Sequence, residues 1–371
     1  MLRTIGLVTG GGDAPGLNAV IRAAVKTAVG EYGMRVIGIE DSFEGLIGEL
    51  RTRELSPADV RGLLPRGGTI LGTRNRGRFV ERLEGGTHKP EEVYREAIEN
   101  LGRLGIDGLI VLGGEGTLAI AAEFDRLGVP VVGVPKTIDN DLAATELTFG
   151  FLTALDISTE ALDRLHTTAE SHDRVMILEV MGRHAGWIAV HSGISGGADV
   201  ILIPEIPFSM ETVARKVRAR DECDSQFSII VVAEGAREIE GAEVYQDEGD
   251  RKGAPRLGGI GHHVAHELGH LTGKETRCVV LGHLQRGGSP NAFDRMLATN
   301  FGSTAVRAIK RGERGVMVAL HAANITTVPL AEAIANLKTV PRDSQLIRTA
   351  RDIGVSFGAP DEANYHRYDN C

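Results

Sequence analysis

The sequence of 371 residues predicts an α/β fold with mostly parallel sheets. Short runs rich in β-branched residues alternate along the chain with longer amphipathic segments, and the short runs are almost continuously apolar. Strands that are covered by helices on both faces have this composition, because neither face meets water. The length allows two domains or one large domain. We place a domain change near Gly150, where a long helical segment separates two sets of strands.

The elements follow one another in a regular order. Strands are predicted over residues 4–10, 35–40, 108–114, 130–135, 174–180, 200–205, 227–235 and 277–283. Amphipathic helices are predicted over residues 17–29, 91–104, 153–169 and 210–220, and a long polar loop over 238–259.

Composition and charge exclude several classes of protein. The formal net charge is −9 and aromatic residues make up only 4%, which argues against a nucleic-acid partner. Cys223, Cys278 and Cys371 are widely spaced, so they predict neither a disulfide framework nor a CxxC metal site. The amino terminus has no signal-peptide pattern and no apolar run reaches transmembrane length. These features predict a cytoplasmic protein without a membrane partner.

Two glycine-rich segments, GGGDAPG (10–16) and GGEGT (113–117), directly follow predicted strands. Pro15 occupies the third glycine position of GxGxxG, and GxxxxGK[ST] does not occur, so neither nucleotide fingerprint applies. Each segment still reads as a glycine loop at a helix amino terminus, where backbone N–H groups can bind an anion. A plain tight turn is the alternative for either loop alone.

The segment PKTIDND (135–141) combines a cation, a hydroxyl group, an amide and two carboxylates after a third strand. Asp139 and Asp141 are two residues apart, so in an extended segment they lie on the same side. There they could accept a proton or hold Mg²⁺. The alternative is an Asx-turn in which Asp139 or Asn140 caps the next helix, which explains one polar residue but not five.

Several basic residues flank the ends of later strands, namely Arg174, Arg183, Arg277, His283 and Arg286. Any one of them alone is more often a solvated surface charge. As a set they predict an anionic substrate, a phosphate ester, because arginine binds such oxygens in bidentate fashion.

The segment HELGHLTG (266–273) contains the HExxH pattern of zinc metallopeptidases. His266 and His270 would bind the zinc and Glu267 would act as the base. The longer peptidase pattern fails at Thr276, where a third histidine is expected, although nearby histidines could supply ligands. An amphipathic surface helix is the favoured interpretation, because so short a pattern recurs by chance.

Taken together in order, the motifs resemble those of the 6-phosphofructokinase family. The resemblance runs from Ile5 to about Leu337 and rests on GGDAPGLNA (11–19), GGT (67–69), LGT (71–73), GGEGT, PKTIDND, SHDRVMILEVMGR (171–183), VAEG (232–235) and TRCVVLGHLQRGGSP (276–290). It implies two doubly wound, mostly parallel domains with the active site in the cleft between them. Residues 1–150 plus 285–335 would bind the donor nucleotide, and residues 151–284 plus 336–371 the sugar phosphate.

The resemblance also implies an activity and its cofactors. The reaction would be the glycolytic phosphoryl transfer from ATP to the 1-hydroxyl of fructose 6-phosphate, with Mg²⁺. A homotetramer with sites shared between subunits would carry it out. A sugar-phosphate-binding protein without catalysis is an alternative, which the presence of both Asp139 and Asp141 disfavours.

Roles carry over residue by residue from the family pattern. The donor site would comprise Gly12, Arg74, Gly114, Glu115, Gly116, Thr117 and Lys136, with Glu115 as the metal ligand. The catalytic residues would be Asp139 as base, Thr137 and Arg183. The acceptor site would include Thr137, Asp139, Asp141, Met181, Gly182, Arg183, Glu234, His283 and Arg286, with Arg174 and Arg277 reaching a neighbouring subunit. Asn75 stands where family members often carry arginine, and Arg74 or Arg76 would replace it.

Two positions point to different phosphoryl donors. Lys136 resembles the pyrophosphate-dependent branch of the family, whereas Gly116 resembles the ATP-dependent branch, since the other branch commonly has aspartate there. An aspartate would exclude the α-phosphate of ATP, whereas a lysine only adds attraction to any polyphosphate. The sequence therefore predicts ATP, with pyrophosphate as the alternative.

Overall fold

The computed structural model describes residues 2–74, 77–83, 86–88, 90–222, 226–239, 241, 245–247 and 256–364. Within these residues, no helix combines the length and apolar character that crossing a membrane requires. Much of the predicted loop 238–259, together with Asn75, Arg76, Cys223 and Cys371, lies outside them.

Strands and helices alternate along the described chain. The strands are β1 Thr4–Thr9, β2 Arg35–Ile39, β3 Thr52–Glu54, β4 Glu81–Leu83, β5 Gly86–His88, β6 Gly108–Gly113, β7 Val131–Pro135, β8 Val175–Val180, β9 Val200–Leu202, β10 Ser228–Ala233, β11 Tyr245–Asp247, β12 Arg256–Leu257, β13 Thr276–Val280, β14 Val316–His321 and β15 Asn324–Pro329. The helices are α1 Leu17–Tyr32, α2 Glu91–Leu104, α3 Glu115–Arg126, α4 Phe151–His172, α5 Trp187–Ser195, α6 Met210–Glu222, α7 Ile260–Thr272, α8 Ala292–Lys310, α9 Leu330–Ala335 and α10 Gln345–Asp352. Short 3₁₀ turns span Ser42–Leu46, Gly282–Arg286 and Pro360–Asn364.

The chain divides into two compact units. Unit 1 contains Met1–Ile138, Leu142–Thr153 and Arg286–Leu337, and unit 2 contains Asp139–Asp141, Ala154–Gln285 and Lys338–Cys371. The domain boundaries given above from the sequence stay a prediction.

Unit 1 is built on one sheet of the described chain, with strand order β15-β14-β7-β6-β1-β2-β3. The five central strands from β14 to β2 pair in parallel, whereas the outer strands β15 and β3 pair antiparallel. One core includes Leu7 with residues of α1 and α8, and a second includes Val8 with residues of α2 and α3. Adjacent strand residues thus serve opposite cores, as a doubly wound sheet requires.

Unit 2 contains a parallel sheet with strand order β13-β8-β10-β9 among its described residues. Val175 and Ile177 of β8 join one core with Val213 of α6 and Leu268 of α7. The predicted α/β class with mostly parallel sheets is therefore confirmed in both units.

Most predicted elements form within a few residues of their expected ends, and α2 matches its prediction. The predicted strand 200–205 ends early at Leu202, before Pro204, which lacks a backbone donor. The hairpin β14–β15 was not predicted, although β14 is mostly buried.

Candidate active site

Three polar segments begin at one edge of the unit 1 sheet. GGGDAPG follows β1, GGEGT follows β6 and KTIDND follows β7, and these strands are adjacent and parallel in the order β7-β6-β1. Carboxyl ends of parallel neighbours meet at the same edge, which is where ligands bind in open α/β sheets. Each of these segments therefore begins where a strand ends, as the sequence predicts.

The two glycine loops pack around the side chain of Thr117. A Cβ atom built on Gly10 would lie 2.6 Å from Cγ2 of Thr117, and one built on Gly113 would collide with the same side chain. Thr117 is only 8% exposed. Part of the glycine content is thus explained by packing, and Thr117 lies beneath the loops instead of on their surface.

Lys136 connects the two glycine loops. Its Nζ donates a hydrogen bond to the carbonyl oxygen of Gly12, and its backbone N–H donates to Gly113 at 3.0 Å. The residue is 4% exposed, so its ammonium is buried against the backbone of the first loop, while its own backbone holds the second. A positive charge here favours an anion at the loops.

Helix α3 presents its amino terminus at the same edge. Gly114 precedes the helix in an extended conformation, and Glu115 and Gly116 in the first turn are exposed. The first-turn N–H groups of a helix have no intrahelical acceptor and attract anions. No atom lies within 4 Å of a Cβ built on Gly116, so the space beside it is open.

Two arginines of unit 1 flank the first glycine loop. The carbonyl oxygen of Arg74 accepts a hydrogen bond from Gly11 at 3.1 Å, and its guanidinium lies 3.6 Å from Asp41. Nη1 of Arg286 lies 2.8 Å from a Cβ built on Gly12 and donates to the carbonyl of Asp13 at 3.3 Å. Arg286, which the sequence analysis gave to the sugar phosphate, therefore lies against the predicted donor loop.

In unit 2, the backbone between Asp139 and Asp141 is turned. Asn140 has a left-handed conformation with φ of 51° and is 4% exposed. The premise that the two carboxylates share one side of an extended segment is therefore wrong. The capping alternative fails too, since the next helix begins only at Phe151, and the Asn140 side chain instead accepts a hydrogen bond from Lys338 at 3.0 Å.

The loops after β8 and β10 support each other. The N–H of Glu234 donates to Val180 at 2.8 Å, and the N–H of Gly235 donates to Gly182 at 3.2 Å. The N–H of Met181 donates to Oε1 of buried Gln285 at 2.7 Å. Because β13, β8 and β10 are adjacent and parallel, Arg183, Glu234 and His283 follow carboxyl ends at one edge. Arg183 and His283 are exposed, as binding a ligand from solvent requires.

A model of the family described as Phosphofructokinase matches residues 4–309. The chain belongs to this family. A relative named ATP-dependent 6-phosphofructokinase from Chloroflexus aurantiacus is 60% identical over 354 residues, covering 95% of this chain and 97% of the relative. A relative named pyrophosphate–fructose 6-phosphate 1-phosphotransferase from Streptomyces coelicolor is 52% identical over 356 residues, and the match covers 95% of this chain and 99% of the relative.

Solved phosphofructokinase structures have the same fold. The phosphofructokinase of Pichia pastoris is 32% identical with a TM-score of 0.78, and the match covers 95% of this chain but only 37% of that longer chain. A pyrophosphate-dependent phosphofructokinase from Marinobacter aquaeolei is 23% identical with a TM-score of 0.78, covering 99% of this chain and 91% of that one. This second likeness concerns the fold alone.

Two of the predicted substrate arginines lie toward the opposite edge of the unit 2 sheet. Arg174 precedes β8, and Arg277 pairs with Met176 near the start of that strand. At about 3.3 Å per residue along β8, about 20 Å separates Arg174, and about 13 Å separates Arg277, from the edge that carries Arg183. Arg174 lies 2.9 Å from Glu275, which also pairs with Arg277, and the hydrogen bond from Arg174 lowers the pKa of the Glu275 carboxyl.

The HELGH segment forms part of α7. His266 and His270 are exposed, and their Nε2 atoms lie 3.2 Å apart. Among the residues that the structure describes, no three His, Cys, Asp or Glu side chains are grouped to hold a metal ion. The family match also includes this helix, so the zinc-peptidase alternative gains no support.

Three residues to which the sequence motifs assign no role hold segments of unit 2 together. Gln285 links the Met181 loop to Ser158, and Lys338 contacts the Asp139–Asp141 segment. Glu205 accepts hydrogen bonds from the N–H groups of Gly186 at 3.0 Å and Val340 at 2.8 Å, and burial raises the pKa of its carboxyl. Only Gln285 lies within a recognised motif. Lys338 and Glu205 contact residues that are far away in sequence, and the spacing of residues in a motif does not reveal such contacts.

Proposed function

We propose that this protein transfers a phosphoryl group from ATP to the 1-hydroxyl of fructose 6-phosphate and so forms fructose 1,6-bisphosphate. At one edge of the unit 1 sheet, two glycine loops meet the Lys136 ammonium and the amino terminus of α3. The chain runs on from Lys136 to Asp139. This arrangement is the observation that carries the proposal. Relatives with up to 60% identity that are named ATP-dependent 6-phosphofructokinase support it.

On the donor side, backbone amides and one cation do most of the work. Gly114 and Gly116 leave room for phosphate oxygens close to the backbone, whereas the space beside Gly12 holds the guanidinium of Arg286. Lys136 contributes positive charge. Arg74 is half exposed beside the loop, where its guanidinium can reach a phosphate that displaces Asp41. Thr117 contributes by shaping the loops from below. Phosphoryl transfer depends on such positioning and charge neutralisation more than on covalent chemistry.

Glu115 is the residue that would hold Mg²⁺. It is an exposed carboxylate in the first turn of α3, next to the proposed phosphate position. A single carboxylate fits this ion, because Mg²⁺ in kinases keeps several waters and takes further ligands from substrate phosphates. When bound, Mg²⁺ would offset the negative charge of the transferred group.

On the acceptor side, Asp139 is the general base. Its half-buried carboxylate takes the proton from the 1-hydroxyl, so that the oxygen can attack the γ-phosphorus of ATP. Thr137 orients the phosphoryl group, and Asp141 supports the base. The sugar phosphate is held by Met181, Gly182, Arg183, Glu234, His283 and Arg286. The family pattern also assigns Arg183 a catalytic role, because a positive charge can offset the charge that develops on the transferred group.

The positions of Arg174 and Arg277 support a symmetric oligomer, which we take to be a homotetramer as the family resemblance implies. Both arginines belong to the substrate set by that resemblance, yet they lie toward the opposite edge of the sheet of their own chain from Arg183. Arginines that serve a substrate from that position have to act on the site of a neighbouring subunit, which requires a shared interface.

The donor assignment rests on Gly116. Relatives of both donor types resemble the chain, at 60% and 52% identity, so similarity alone favours ATP only weakly. Gly116 leaves open space at the start of α3, as an α-phosphate requires, whereas the contact of Lys136 with Gly12 suits either donor.

A direct comparison of donors tests the proposal. With fructose 6-phosphate and Mg²⁺, the purified protein should form fructose 1,6-bisphosphate with ATP at a kcat/KM at least tenfold above that with pyrophosphate, a difference of about 1.4 kcal/mol. Product is measured by coupled aldolase assay for both donors under the same conditions. Turnover with pyrophosphate and not with ATP would transfer the assignment to the alternative donor, and no turnover with either would refute the proposed activity.

A further inference from the structure

Helix α7 carries a histidine pair that the proposed reaction does not use. His266 and His270 are one helical turn apart on its exposed side, with Nε2 atoms at 3.2 Å. Their rings are nearly perpendicular, at 85°, with centroids 4.4 Å apart. At this distance one nitrogen shares its proton with the other, because two bare lone pairs would repel each other.

We propose that His266 and His270 form a bidentate binding site for a divalent first-row transition-metal ion such as Ni²⁺, Cu²⁺ or Zn²⁺. Metal–imidazole bonds of about 2.0–2.1 Å to two nitrogens 3.2 Å apart enclose an angle of about 100° at the metal. This angle lies between those of square-planar and tetrahedral coordination. To bind the ion through both Nε2 atoms, the donating histidine shifts its proton from Nε2 to Nδ1 by exchange with solvent, so both rings remain neutral ligands.

The helix backbone holds the pair in place. The carboxylate of Glu179, in β8, accepts hydrogen bonds from the N–H groups of Gly259 and Gly261 at the start of α7. Leu268, between the two histidines, is completely buried. Because the helix is anchored at its start and along its inner face, metal binding orders little additional structure, which favours affinity.

The chemistry of the pair selects the ion. Imidazole nitrogen suits nickel, copper and zinc, whereas Mg²⁺ prefers oxygen ligands, so this site is separate from the Mg²⁺ of the proposed reaction. No third His, Cys, Asp or Glu completes the site among the described residues, so water fills the remaining positions. The site therefore exchanges its ion readily, unlike a zinc-peptidase centre.

Metal titration of the full chain tests this site. After chelator treatment, NiCl₂ should bind with one Ni²⁺ per chain by calorimetry and raise the melting temperature with concentration. His266→Ala and His270→Ala should each weaken binding at least tenfold, whereas His321→Ala, at an exposed histidine of β14, should bind as the wild type does. MgCl₂ should not compete.

Circular dichroism of the variants separates loss of ligands from loss of fold. If either single variant bound Ni²⁺ as tightly as the wild type, or if the wild type bound none, the pair would not be a metal site. Competition in the order Cu²⁺ above Ni²⁺ above Co²⁺ is expected for nitrogen ligands, and a reversed order would also contradict the assignment.

A second inference concerns Lys338, which contacts the Asp139–Asp141 segment at two points. Its Nζ donates to Oδ1 of Asn140 at 3.0 Å, and its backbone N–H donates to the carbonyl of Asp141 at 2.8 Å. Its own carbonyl accepts a hydrogen bond from Nε1 of Trp187 at 2.7 Å, and its ammonium lies 5.9 Å from the centroid of the Trp187 ring.

We infer that Lys338 is a positioning residue for the general base, an inference that rests on the proposed function. Asn140 adopts φ of 51°, and an asparagine side chain that is held by a partner stabilises this conformation. The turn at Asn140 sets the direction of the Asp139 and Asp141 carboxylates on either side. Lys338, anchored by Trp187, therefore fixes the base through Asn140 without touching the substrate.

Kinetics of Lys338→Met should detect this role. We expect kcat to fall by a factor of about 10–100, as a misplaced catalytic group causes, with little change in KM for fructose 6-phosphate. Lys338→Arg, which keeps a donor and a positive charge, should recover part of the loss. The double variant Lys338→Met with Asn140→Ala should lose no more than the worse single variant, because both changes break the same contact.

Failure of this inference can be distinguished from failure of the proposed function. A wild type that turns over fructose 6-phosphate together with a Lys338→Met variant of unchanged kcat would refute the positioning role alone. Additive losses in the double variant would show that Lys338 acts elsewhere.

Discussion

Replacing Asp139 by asparagine should lower kcat by a factor of about 10²–10⁴, the usual contribution of a general base. Asparagine has nearly the same shape, so fructose 6-phosphate should bind with nearly unchanged affinity. It cannot accept the proton of the 1-hydroxyl, so only the chemical step suffers. Steady-state kinetics with ATP, together with calorimetric titration of fructose 6-phosphate, separate the two quantities.

Asp141→Asn is the matched control for this change. It makes the same replacement two residues along the segment, and a supporting role predicts a smaller loss. A kcat near the wild-type value in Asp139→Asn would exclude Asp139 as the base.

Mixing Asp139→Asn with Arg174→Ala subunits should restore part of the activity if sites are shared between subunits. No recovery in verified mixed oligomers would assign each site to one chain.

Replacing Gly116 by aspartate should reduce kcat/KM with ATP at least tenfold and affect activity with pyrophosphate much less. Repulsion between the introduced carboxylate and the α-phosphate of ATP, at about 4 Å, would cost about 4 kcal/mol at an effective dielectric constant of about 20. The loss of kcat/KM with ATP could therefore exceed tenfold. The change should not harm the fold. Gly116 is exposed with open space around it, and a carboxylate in the first turn of a helix interacts favourably with the helix dipole.

Gly116→Ala separates bulk from charge, since it adds a methyl group in the same open space. We expect it to retain most ATP activity, and the melting temperatures of both variants should equal or exceed that of the wild type. Unchanged ATP kinetics in Gly116→Asp would mean that Gly116 does not select the phosphoryl donor. Lys136, which resembles the pyrophosphate-dependent branch, would then be the better indicator of the donor.

The sequence by itself determined the order of strands and helices and the three polar segments at the strand ends. Continuous apolar runs such as residues 108–113 predict buried parallel strands, because no face of such a strand is left for water. Parallel strands then bring GGGDAPG, GGEGT and PKTIDND to one edge, whatever the details of side-chain packing. The hairpin β14–β15 was not predicted; β15 is the edge strand of the sheet, whereas β14 lies between β15 and β7.

Only the tertiary structure decided which of these residues touch. Lys136 reaches Gly12 across 124 positions of sequence, and Lys338 reaches Asn140 across 198. The turn at Asn140, which overturned the extended reading of the two aspartates, is held by that second contact. Arg174 and Arg183 bracket one strand and therefore lie at opposite edges of its sheet. Periodicity reports which face of an element is buried, but partners distant in sequence are fixed only when the chain has packed.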